Sequence, residues 1–72
     1  MTVKFVNNTI YVELDNNLSI EGLTELAHYY LQFLPIVKVD INTTMLCENQ
    51  IIKYYPISED EYNRFIEEAK IV

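Results

Sequence analysis

The segment Ser19 to Leu34, SIEGLTELAHYYLQFL, constrains the fold more than any other part of the chain. Its apolar residues Leu23, Leu26, Ala27, Tyr30, Leu31 and Leu34 recur at i, i+3 and i+4, which stacks them in one stripe along an α-helix. Ser19 stands where an N-cap oxygen accepts the orphan N–H groups of the first turn, and Leu18 and Leu23 are spaced as a hydrophobic staple. Pro35 ends the helix, because it lacks an amide hydrogen and disfavours α geometry in the residue before it. Gly22 lowers helix propensity by up to about 1 kcal/mol relative to Ala, and its place in the first turn points to close approach of the sheet. A helix with one apolar stripe needs a second layer to cover it.

The flanking segments supply that layer. From Thr2 to Asp15, Val3 and Phe5 alternate with Thr2 and Lys4, then Ile10, Val12 and Leu14 alternate with Tyr11, Glu13 and Asp15. This is the period-2 signature of half-buried strands. Asn7-Asn8 suits a two-residue type I′ turn, which needs positive φ at both central positions. With that turn Phe5 faces Ile10 and Val3 faces Val12, and a slip of one residue would turn every apolar side chain outward. Beyond Pro35, Val37, Val39 and Ile41 alternate with polar residues in a third strand expected to continue through Thr43 to Leu46. Cys47 to Gln50 reads as a reversal, and Ile51 to Tyr55 as the fourth strand. A turn at Glu48-Asn49 would set Met45 opposite Ile52 and Thr43 opposite Tyr54. Pro56 stops that strand, and SEDE from Ser58 to Glu61 is a capping box opening a last helix with Tyr62, Phe65, Ile66 and Ala69 as its buried stripe. Its early acids suit the positive end of the helix dipole. The expected fold is therefore α+β with the order ββαββα: a four-stranded, mainly antiparallel sheet with two helices packed on one face. The two capped helices superpose in pattern, as two sheet-packed amphipathic helices do.

Residues 1–72 are expected to form a single compact domain, and a core of this size is marginal, since burial and conformational entropy nearly cancel below about 70–80 residues. Cys47 is the only cysteine, so an internal disulfide cannot supplement the core. Self-association, most simply a dimer, or docking on another protein is the expected supplement. The opening MTVKFVNN is not followed by an apolar signal-peptide core, and no apolar run reaches the ~20 residues that span a bilayer. With a lone thiol this reads as a cytoplasmic, intracellular protein with no membrane association. A formal net charge of −6 argues against direct nucleic-acid binding, which rests on clustered Lys and Arg.

Few residues offer chemistry. Glu25-x-x-His28 has the spacing of bundle di-metal sites, but those sites need two such motifs and the chain holds one histidine. Cys47 has Glu48 beside it, and an anion disfavours the thiolate that a nucleophile requires. Gly22 is the only glycine, so no phosphate-cradling loop is present. The chain is read as no enzyme, with no catalytic residues, no metal site and no cofactor.

Interaction is the remaining function class. The outward side of the sheet is expected to hold Lys4, Val6, Tyr11, Leu46, Ile51, Lys53 and Tyr55, a surface apolar enough to mark a contact site. Tyrosines bring contact area at little entropic cost. The exposed side of the last helix carries Asp60, Glu61, Glu67 and Glu68 around Arg64, an acidic ridge suited to a basic groove. The partner-binding set is thus Tyr11, Leu46, Ile51, Lys53, Tyr55, Asp60, Glu61, Glu67 and Glu68. The expected function is a small acidic interaction module, in its most specific form an inhibitor docking on a basic, nucleic-acid-handling protein. The alternative is a homo-oligomer with a small-ligand site at its subunit interface.

Overall fold

Asn7 and Asn8 turn the chain with φ of 51° and 58°, the left-handed pair that a tight hairpin needs. They join β1 (Thr2–Val6) to β2 (Thr9–Glu13), with Phe5 opposite Ile10 and Val3 opposite Val12 as the alternation requires. The computed structural model describes residues 1–15, 18–35, 37–42 and 50–69. Its further elements are α1 (Ile20–Leu31), β3 (Lys38–Asn42), β4 (Ile51–Tyr55) and α2 (Glu59–Glu68). The strands form one open sheet in the order β1-β2-β4-β3, with every neighbouring pair antiparallel, so the fold is α+β. The central pair β2 and β4 sets Ile10 against Tyr54 and Val12 against Ile52. Each ββα unit thus contributes one inner and one edge strand.

One register differs from expectation. Ile41, not Met45, lies opposite Ile52, and Val39, not Thr43, lies opposite Tyr54. The shift is four residues. β-Branched apolar residues thereby meet the core positions of β4, and the residue paired with the buried Tyr54 is a valine, which brings no hydroxyl to be satisfied there. Because the shift is even, the described residues of β3 and β4 keep their expected sides of the sheet. The expected turn at Glu48-Asn49 and the continuation from Thr43 to Leu46 lie outside the described residues.

Both helices cover the same side of the sheet. Leu23, Ala27 and Tyr30 from α1 and Phe65 from α2 join Ile10, Val12, Ile52 and Tyr54 in one buried cluster. Phe65 meets Tyr30 edge-on at 5.6 Å and lies 6.3 Å from Tyr54, while Tyr62 stacks on Phe5 at 4.8 Å. Ser19 accepts the Gly22 amide at 3.1 Å, and Ser58 and Glu61 close the capping box at 3.2 and 3.1 Å. Those bonds hold the Glu61 carboxyl below its usual range.

Three local expectations are corrected. α1 ends at Leu31 rather than Leu34, and its chain leaves through tighter bonds from Phe33 to Tyr30 and from Leu34 to Leu31. Pro35 favours this end, because it disfavours α geometry at Leu34. A Cβ on Gly22 would meet Ser19 Oγ at 3.4 Å and Leu18 Cβ at 3.7 Å, so the glycine faces its own cap and not the sheet. Leu18 is more exposed than a staple residue should be. It is instead tied by its backbone: its N–H donates to Gln50 Oε1 at 2.8 Å and its carbonyl accepts from Gln50 Nε2 at 2.9 Å. No described helix is long and apolar enough to cross a membrane.

Tyr54 is fully buried and its hydroxyl donates to the Ala27 carbonyl at 2.8 Å. Burial, then the neighbouring Tyr30, push this phenol far above its ordinary value of 10.0. The folded state therefore holds the proton more tightly, so the stability this group contributes is complete below pH 10 and is lost as pH rises beyond it. Denaturant melts should show stability declining in strong alkali. Tyr54→Phe should lose about 1 kcal/mol at neutral pH and flatten that decline. Coincident alkaline slopes for the two proteins would contradict the buried hydroxyl.

Candidate functional site

The side of the sheet away from the helices is built by the residues that alternate with the core. Registers place Lys4, Tyr11, Lys53 and Asp40 in one row across β1, β2, β4 and β3, and Thr2, Glu13, Ile51 and Asn42 in the next. Tyr55 lies opposite Lys38. Tyr11 therefore has Lys53 directly across from it, with Ile51 and Tyr55 as its diagonal neighbours on β4, at about 7–8 Å in such ladders. Tyr11, Ile51, Lys53 and Tyr55, all expected here, are brought together, each half-buried. Leu46 lies outside the described residues.

Polar contacts order this face. Lys4 Nζ lies 3.3 Å from Glu13 Oε1, and Lys53 Nζ sits 5.7 Å from the Tyr11 ring centre. Exposed contacts of either kind contribute at most about 1 kcal/mol, so they bias side-chain directions and leave the surface adaptable. The Tyr55 hydroxyl donates to Asp40 Oδ2 at 2.5 Å. That hydrogen bond, then burial, then the carboxylate's charge raise the phenol above its ordinary value of 10.0. Lys4, Lys38 and Lys53 against Glu13 and Asp40 leave the face close to neutral.

The acidic residues are elsewhere. Asp60, Glu67 and Glu68 are exposed on α2 with Arg64 among them, and Glu61 is engaged at the helix cap. Because α2 covers the inner side of the sheet, this ridge and the tyrosine-bearing face point in opposite directions. With Glu21 and Glu25 exposed on α1, the helix layer carries most of the negative charge of the described residues. The two halves of the expected partner-binding set are thus separated by the thickness of the molecule. A sequence pattern gives side-chain phase within an element, whereas this separation depends on which side of the sheet each helix takes.

His28 is exposed, and its Nδ1 lies 2.9 Å from the Thr24 carbonyl of its own helix. Cys47 lies outside the described residues. Two surface hollows of about 180 and 260 Å³ are lined by Met1, Leu14, Asp15 and Leu18 and by Leu31, Leu34, Pro35 and Val37. Both are smaller than the ~300 Å³ at which ligand pockets ordinarily begin, and neither brings several polar groups to a point. Tyr29 on α1 is 55% exposed and packs edge-on against Tyr30 and Phe33.

Asp40→Asn should return the Tyr55 phenol toward its ordinary value, read from the ring signals of Tyr55 in an NMR pH titration. An unmoved titration would show that Asp40 does not hold the hydroxyl. No family model, no curated protein and no solved structure matches this chain.

Proposed function

We propose that this chain is a protein-interaction module that holds a partner on the uncovered face of its sheet and carries out no chemical step of its own. The observation that supports this reading is the asymmetry of the sheet. One side is sealed by both helices, with Val12 and Ile52 at 0% exposure, while the other presents Tyr11, Ile51 and Tyr55 with no element across them among the described residues. Tyrosine bodies offer apolar area while their hydroxyls keep polar partners, as Tyr55 does in Asp40, the chemistry of contact hot spots. The near-neutral charge of the face removes the strong repulsion that a net charge of −6 would otherwise impose on an acidic partner.

A second reading attaches to the acidic ridge. Asp60, Glu67 and Glu68 lie within one exposed arc of α2, and such a ridge fits a basic groove, including one that handles nucleic acid. Here the module would act as a competitor for that groove, attracted through long-range charge and therefore sensitive to salt. Docking by the ridge leaves the sheet face free, so the two readings separate experimentally.

Tyr55→Asp with Ile51→Asp should lower partner affinity at least tenfold if the sheet face is the contact, measured by calorimetry against the recovered partner with folding verified by amide spectra. Unchanged affinity would remove that reading. Glu67→Lys with Glu68→Lys should slow association and weaken its salt dependence if the ridge docks. Identical association rates for mutant and native protein would remove the second.

A further inference from the structure

β1 and β3 are the edge strands of the described sheet, and their residues differ in what they permit. β1 (TVKFV) carries a single charge, Lys4, at its centre, so no antiparallel register of two such strands sets opposite charges against each other, and an edge lysine is a common device against association. β3 (KVDIN) carries Lys38 and Asp40 two positions apart on the outer side, with Val39 between them on the inner side. Four of its five residues are exposed, including the inner-facing Ile41 at 39%. Among the described residues, β4 is the only strand paired with it.

We propose that β3 is a homotypic pairing edge, through which two copies of this chain join antiparallel about a two-fold axis at Val39. In that register Lys38 of each copy stands opposite Asp40 of the other, on the outer side. On the inner side Val39 meets Val39, and Ile41 meets Val37. Directly opposed residues of an antiparallel pair share a side of the sheet, so this is the arrangement in which both charges and both apolar positions match. Centring the axis on Asp40 or on Lys38 would oppose like charges, which is destabilising. Asp40 can serve both contacts, because Tyr55 uses Oδ2 and leaves Oδ1 for the lysine. The product is one continuous sheet with both helix layers on the same side and the two tyrosine-bearing faces merged on the other. The contact is isologous and closes on itself. It does not depend on the partner-binding reading, since edge pairing leaves the open face uncovered.

The test is the mass of the purified protein by light scattering over a concentration series, beside Lys38→Asp and Asp40→Lys. The native chain should approach twice its 8.5 kDa. Each single reversal should weaken dimerisation at least tenfold, because it opposes like charges at two symmetric places. An equimolar mixture of the two variants should restore the dimer, as every opposed pair in the mixed species is again of opposite sign. Restoration also shows that both variants are folded. For a variant that fails to fold, slow hydrogen exchange at the β3 amides of the native dimer, fast in the diluted monomer, is the second reading of the same edge. A monomer at all concentrations, reversals that dimerise as the native chain does, or a dimer broken by Tyr55→Asp and untouched by the charges would each overturn the proposal.

Discussion

Everything in this structure passes through β4, and within it through Tyr54. The strand lies between β2 and β3, so among the described strands the two hairpins pair with each other only through it. Its ring packs toward Phe65 of α2, and its hydroxyl reaches the Ala27 carbonyl of α1. One side chain thus connects the sheet to both helices, using its apolar body and its polar tip for different partners. The core includes ten buried apolar residues, so a group that satisfies three elements at once bears on whether a chain this short has one arrangement or several. A buried hydroxyl without its acceptor would cost about 1–3 kcal/mol, and that penalty favours the single geometry in which Ala27 is present to receive it.

The polar groups at the rims of the core act in the same sense. Gln50 pairs both ends of its amide with the backbone of Leu18 while its own carbonyl accepts the Leu14 amide at 2.9 Å. It thereby ties the chain entering α1 to the chain entering β4. At the opposite end the Ile57 amide donates to the Asn8 carbonyl at 2.8 Å, joining the exit of β4 to the turn of the first hairpin. β4 is fastened at both of its ends to segments distant in the chain. Nothing in the local pattern around Gln50 signals this role, because its partner lies 32 residues away.

The consequence for interaction is a molecule with unlike sides. Apolar burial draws both helices onto the face that Ile10, Val12, Ile52 and Tyr54 present, and their exposed surfaces take most of the acids outward with them. The lysines of the strands remain on the other side, near the tyrosines and two carboxylates. A partner meeting the helix layer therefore encounters a field of negative charge, whereas one meeting the sheet encounters a nearly neutral surface with aromatic relief. Edge pairing through β3 would enlarge the second surface without altering either property.

Much of this was legible in the residues themselves. Period-2 alternation in β1 and β2, the Asn7-Asn8 turn, the stripe of α1 and the capping box of α2 are determined within a few neighbours, because backbone sterics and side-chain direction act locally. The two sides of the sheet were legible for the same reason, and this assignment survived a register error of four residues because strand periodicity forgives even shifts. Tertiary structure alone decided the register of β3 against β4, the order of the strands and the separation of the acidic ridge from the tyrosine face. Those depend on contacts between segments far apart in the chain, where the competition among Val39, Ile41, Thr43 and Met45 for the same core positions is settled by three-dimensional packing and has no signature in local spacing.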